Sequence, residues 1–203
     1  MLSEITKFFG AFAFGAAIGL SGSAWAQEDS VRRVVTGLDP SGKAVVLLDS
    51  EFSKPVAQQE PVVRNFWSLD EFPAVAATTD RGLEKITAAF GPGPQKLVFR
   101  TVDFPPAPPQ EVLDTLPKDL FMKIAGGEAP KNGKPPVHPF THRTQTIDFA
   151  VVLNGQIDMV LDDSTVHLKA GDVVVQQETN HAWVNNSSEV VRIVFVQAES
   201  KEQ

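Results

Sequence analysis

Residues 142–196, HRTQTIDFAVVLNGQIDMVLDDSTVHLKAGDVVVQQETNHAWVNNSSEVVRIVFV, decide the fold. Short β-branched and aromatic runs follow one another, separated by Asn154-Gly155, Asp162-Asp163-Ser164 and Ala170-Gly171-Asp172. Short strands at close, regular spacing point to an antiparallel sandwich or barrel. Asn-Gly between two such runs is a strong hairpin signal. It predicts a two-residue turn that pairs Val152 with Ile157.

Side chains alternate faces along a strand, so the interior can be assigned by counting. One face of the strand before Asn154 carries His142, Thr144, Thr146, Asp148, Ala150 and Val152. It continues beyond the turn as Ile157, Met159 and Leu161. This face is apolar near the turn and polar at its far end, the pattern of a cup with a dry floor and a wet mouth. His181, Trp183 and Asn185 share a face of a later strand. If that face also points inward, two histidines, an aspartate and a tryptophan converge near the mouth. The opposite face, Phe149, Val151 and Leu153, needs cover from another element or subunit.

Residues 142–196 resemble the cupin superfamily, the small double-stranded β-helix (jelly-roll) barrels. The family's first motif is a pair of histidines, then an acid, then a glycine. His142, Asp148 and Gly155 fall on three of those positions. Its second motif opens on Gly-Asp and leads to a histidine and an asparagine, matched by Gly171-Asp172, His181 and Asn185. The chain departs from the pattern in four places. Thr144 stands at the second histidine, and Asp148 replaces a longer glutamate. Gln176 and Glu178 stand where proline and glycine are usual.

The resemblance implies an all-β, cupin-type barrel with N-terminal strands and a Pro-rich extension. It implies a metal held by His142, Asp148 and His181, in the manner of a 2-His-1-carboxylate face. Iron, manganese, zinc, nickel or copper would suit. The alternative is a metal-free pocket in which His142 and Asp148 are hydrogen-bonded to each other. Thr144, Thr146, Met159 and Trp183 would line the substrate pocket. The implied chemistry is metal-assisted work on a small acid or aromatic compound, of oxygenase, decarboxylase, lyase or isomerase type. The alternative function is binding or sensing without turnover. His138 reads as a rim residue between prolines, His167 as surface, and Asn185 as a turn-former. Trp67 is a candidate to close over the mouth.

Outside the barrel, VRRVV and KAVVLL, in residues 31–35 and 43–48, read as two strands around a DPSG turn. They are expected to add to the barrel sheet of their own or a partner chain, which predicts a homodimer. A short helix is expected over 80–90, followed by a strand over 96–104. Residues 92–139 hold eleven of the fifteen prolines, which leaves little room for regular structure. The organisation expected is therefore a signal segment over 1–26, strands, helix and Pro-rich extension over 27–139, and a barrel core over 140–198.

The first segment carries an apolar run at 8–20 that is short for a membrane span. Lys7 precedes it and Ala24-Trp25-Ala26 follows, the pattern of a cleaved secretory signal. Export to the periplasm or the exterior is expected, with no stable membrane insertion after cleavage. The alternative is an uncleaved N-terminal anchor. Composition excludes several functions. The chain has no cysteine, which rules out disulfides, thiolate metal sites and thiol nucleophiles. A net charge of −7 without a basic cluster argues against a nucleic-acid partner. The partner expected is a small molecule.

Overall fold

Two antiparallel sheets face each other and enclose one apolar core. The structure is a computed structural model and describes residues 30–53, 61–82, 91, 93, 95–125, 133 and 135–201. The larger sheet contains β3 (Val62–Leu69), β4 (Leu97–Phe104), β5 (Thr146–Val152), β8 (Val173–Gln177) and β10 (Val191–Glu199), in the order β3-β4-β10-β5-β8. The smaller contains β6 (Gln156–Val160), β7 (Thr165–Lys169) and β9 (Ala182–Val184), in the order β7-β6-β9. This is the all-β barrel expected from the sequence.

The core forms where the inward faces meet. Val102, Ala150, Val152, Ile157, Met159, Leu168, Trp183, Val191, Ile193 and Phe195 form one buried cluster. The alternation in β5 is as counted: Asp148, Ala150 and Val152 are buried, and Phe149 is exposed. Burying each large core side chain contributes roughly 1.5–3 kcal/mol.

The expected Asn154-Gly155 hairpin is not formed. β5 pairs with β10 and β8, whereas β6 pairs with β7 and β9. The dipeptide is instead the corner where the chain leaves one sheet for the other. Gly155 takes φ 66°, which favours glycine. Asn154 fastens the corner to the last strand: its Nδ2 donates to Val190 O at 2.8 Å, and its Oδ1 accepts from Arg192 N at 2.7 Å. A hairpin does occur at Asp162-Asp163-Ser164, where Val160 pairs with Thr165.

A buried ion cluster ties three strands together. Arg64 of β3 donates to Asp103 Oδ2 of β4 at 2.6 Å. Arg192 of β10 grips both oxygens of the same carboxylate, at 2.5 and 2.8 Å. Asp103 and Arg64 are fully buried.

The N-terminal strands form as read, β1 (Ser30–Leu38) and β2 (Ala44–Ser53), but they pair with each other in a separate two-stranded sheet. They do not extend the barrel sheet of their own chain. Their link to it runs through Arg33, which donates to Asp80 and to Phe66 O and lies 4.5 Å over the Phe52 ring. Phe149, Leu153, Val173 and Val175 thus remain 48%, 50%, 67% and 55% exposed.

The Pro-rich stretch contains two short helices that the sequence reading did not anticipate, α1 (Gln110–Leu113) and α2 (Leu120–Ala125). The helix expected over 80–90 and the expected signal segment lie largely or wholly outside the described residues. No helix among the described residues is long and apolar enough to cross a membrane.

Candidate functional site

His142 and His181 lie side by side. Their backbones form an isolated antiparallel bridge, and their ring centroids are 4.3 Å apart. His181 sits just before β9, so the bridge continues the smaller sheet beyond that strand. Each Nδ1 lies near the main-chain carbonyl two residues upstream: Phe140 O at 3.1 Å for His142 and Thr179 O at 3.0 Å for His181. A carbonyl in that place accepts from Nδ1–H and directs the Nε2 side of the ring away from it. The Gln176 Nε2 also lies 2.8 Å from the His181 Nδ1, so that nitrogen accepts from Gln176 in one tautomer and donates to Thr179 O in the other.

The surroundings are aromatic. Phe121 of α2 packs on the His142 ring at 5.0 Å, and Trp183 meets His181 edge-on at 6.1 Å. Phe104 and Phe195 flank Trp183. Burial in this setting disfavours the charged imidazolium and pushes His142 down to about 4. It lowers His181 further, and His142 at its side adds to the effect. Both rings are therefore neutral at physiological pH.

Asp148 occupies different ground. It stands in β5 of the larger sheet, with Gln197 of β10 on one side and Gln176 of β8 on the other. Gln197 Nε2 donates to its Oδ2 at 2.9 Å. Burial raises its pKa, offset by hydrogen bonds from Thr146 and Gln197 and by the charge of Arg100. Arg100 is itself lowered to about 10 by burial. Thr144 and Thr146 share a 2.7 Å hydrogen bond between their hydroxyls.

Residues 123–197 match the cupin domain family. This stretch is a cupin domain. Its similarity to curated proteins is local. Phomopsin biosynthesis cluster protein C' of Diaporthe leptostromiformis is 53% identical over 62 residues, covering 30% of this chain and 33% of that one. The cupin-domain-containing oxidoreductase srdD of Neurospora crassa is 35% identical over 72 residues, covering 34% and 37%. The chain spans about a third of the length of the curated relatives it matches. Among solved structures, the cupin domain of an XRE family transcriptional regulator from Enterobacter cloacae aligns with 70% of this chain and 100% of its own. The TM-score is 0.39 and the identity 16%.

The cupin motifs are thus present, but their expected metal triad is not assembled. Of His142, Asp148 and His181, only the two histidines come together. Among the described residues, no group of three or more histidines or carboxylates is placed to hold a metal ion. The count from His142 to Asp148 as one strand fails because β5 starts at Thr146. His142 extends the smaller sheet and Asp148 belongs to the larger, so three residues of irregular chain, 143–145, separate two walls of the barrel. The pair offers two neutral imidazoles, one donor short of a three-ligand catalytic site. The donor set does not fit the implied metal. The contact shown for Asp148 Oδ2 is with Gln197 Nε2.

The other candidates resolve simply. Met159 and Trp183 are buried in the core, and Thr144 and Thr146 are buried on the polar side. His138 packs against Phe140, and burial lowers it to about 4. His167 is exposed and paired with Asp158. Asn185 fixes a turn, accepting from Ser187 N and donating to Phe104 O and Glu189 O. Trp67 lies in β3, the edge strand of the larger sheet, opposite Phe99. The sequence reading missed Arg100, Gln197 and the contact made by Phe121. The one signal available was Gln176, a polar residue at a position where the family has proline.

Proposed function

We propose that this chain acts on a small, largely apolar organic molecule, an aromatic compound or acid, held inside the barrel against His142 and His181. The observation that carries this reading is the buried histidine pair, neutral and walled by Trp183 and Phe121. An imidazole held at about 4 is a poor general base at neutral pH. The same neutral ring is a good hydrogen-bond partner for a substrate oxygen. Apolar walls exclude water and strengthen such a contact. An enzyme of oxidoreductase type is supported by two similar proteins, the cupin-domain-containing oxidoreductases srdD of Neurospora crassa and fogC of Aspergillus ruber. A metal-assisted version would need a third ligand from outside the described residues.

The test has two arms. Protein purified without a metal-affinity tag is assayed for metal content, then titrated with iron(II), manganese(II) and zinc(II) alone. The expectation is weak binding, lost in His181→Ala. About one tightly held ion per chain would instead establish a metal centre and require a third ligand. In the second arm, small aromatic acids and alcohols are screened by thermal shift. Shifts in the wild type that vanish in Trp183→Ala support the barrel as the site, and shifts that persist unchanged place binding elsewhere.

Export and self-association belong to the same proposal. The apolar run at 8–20 with Ala24-Trp25-Ala26 supports export, tested by the N-terminal sequence of the secreted chain. The exposed Phe149, Leu153, Val173 and Val175 support a homodimer, tested by light scattering at micromolar concentration.

A further inference from the structure

Asp148 is 3% exposed, yet its Oδ1 has no hydrogen-bond partner among the described residues. Leaving a buried charged acceptor unmet is costly, and such groups are normally satisfied. Among the described residues the nearby donors are engaged elsewhere, the Thr146 hydroxyl with that of Thr144 among them. Gln197 is spent on Oδ2, and the Gln176 amide is turned toward His181. On the same inward face of β5, Ala150 and Val152 belong to the core, so Asp148 also points into the barrel. Arg100 already faces Asp148 with an opposite charge. The group that completes this site therefore needs a donor hydrogen and not a second positive charge.

We infer that Asp148 Oδ1 anchors a neutral hydroxyl or amide N–H of the molecule bound in the barrel, on the larger sheet, while the histidine pair contacts it from the smaller one. This rests on the reading of the barrel as a small-molecule site and narrows it. The ligand is apolar in its middle, where it meets Trp183 and Met159, and carries at least one hydrogen-bond donor. Asp148 is thereby a specificity residue for that donor and not a metal ligand.

The test uses two molecules of nearly equal size, 1-phenylethanol and acetophenone, which differ in having or lacking an O–H donor. Binding of each to the full chain is measured by calorimetry. The wild type should bind 1-phenylethanol about tenfold to 150-fold tighter, the worth of one hydrogen bond to a charged acceptor. Asp148→Leu should bring the two affinities within about twofold by weakening 1-phenylethanol alone. Asp148→Asn, which keeps the shape and so guards against misfolding, should fall between. An unchanged preference in both variants overturns the anchor while leaving the barrel reading intact. So does a wild type that prefers acetophenone, which would mean a protonated Asp148 or a bound water fills the role. Failure of the wild type to bind either molecule overturns the barrel reading and the anchor with it.

Discussion

Acid should unfold this protein through its histidine pair. The ordinary histidine value is 6.5, and His142 is held at about 4 in the folded chain. Protonating His142 is then about 3 kcal/mol harder in the folded than in the unfolded state. The unfolded chain takes up protons between those two values and the folded chain refuses them. Stability is therefore full above about pH 6.5 and is lost as pH falls toward about 4. The slope is about 1.4 kcal/mol per pH unit for each histidine in its window, and His181 extends the window lower. Asp148, whose carboxyl burial pushes up, works in the opposite sense and blunts the slope. A domain of this kind is stable by about 5–15 kcal/mol in total, so the loss is large enough to read. Urea unfolding at pH 7.5, 6 and 5 should show it, with the imidazole C2–H resonances of His142 and His181 unmoved by titration down to about pH 5. A resonance assigned to His142 that titrates near 6.5 would refute the argument. So would a His142→Phe/His181→Phe double variant that keeps the full acid slope.

Three further outcomes are expected. Asp103→Ala removes the carboxylate that buried Arg64 and Arg192 share and should cost about 3–5 kcal/mol, read as a drop in the urea midpoint. Ile193→Ala, at a fully buried core position, should cost about 2–5 kcal/mol by the same assay, with metal-free ligand screens still interpretable if the variant folds. Glu178 adopts φ 52° at the position where the family's second motif has glycine. Glu178→Gly should therefore stabilise the fold by up to about 1 kcal/mol in thermal unfolding, less whatever the Ser200 hydroxyl loses as a donor to Glu178.

The sequence carried the barrel well because its signals are local. Alternation placed Ala150, Val152, Ile157 and Met159 inward, and all four are buried. What it could not carry was the choice of partner. Asn154-Gly155 marks a reversal of the chain, but which strand receives it depends on Val190 and Arg192, nearly forty residues away. The same limit undid the metal triad. Counting faces from His142 to Asp148 assumes one strand, and His142 is drawn instead to His181 across the smaller sheet. Arg100, Gln197 and Phe121 come to the site from outside or at the ends of the motif region. Nothing in their own neighbourhoods marks them.

Placing the two halves of the site on different sheets makes occupancy and cohesion one property. A molecule that touches both His181 and Asp148 is a cross-brace between walls that the chain otherwise joins at corners such as Asn154-Gly155. Such a brace stabilises the folded barrel in proportion to the logarithm of ligand concentration over its dissociation constant. Its imprint would be slowed amide exchange in β5 and β9 together, strands that share no hydrogen bond in the ladder. The empty barrel would then be the softer one, and the ligand its last structural element.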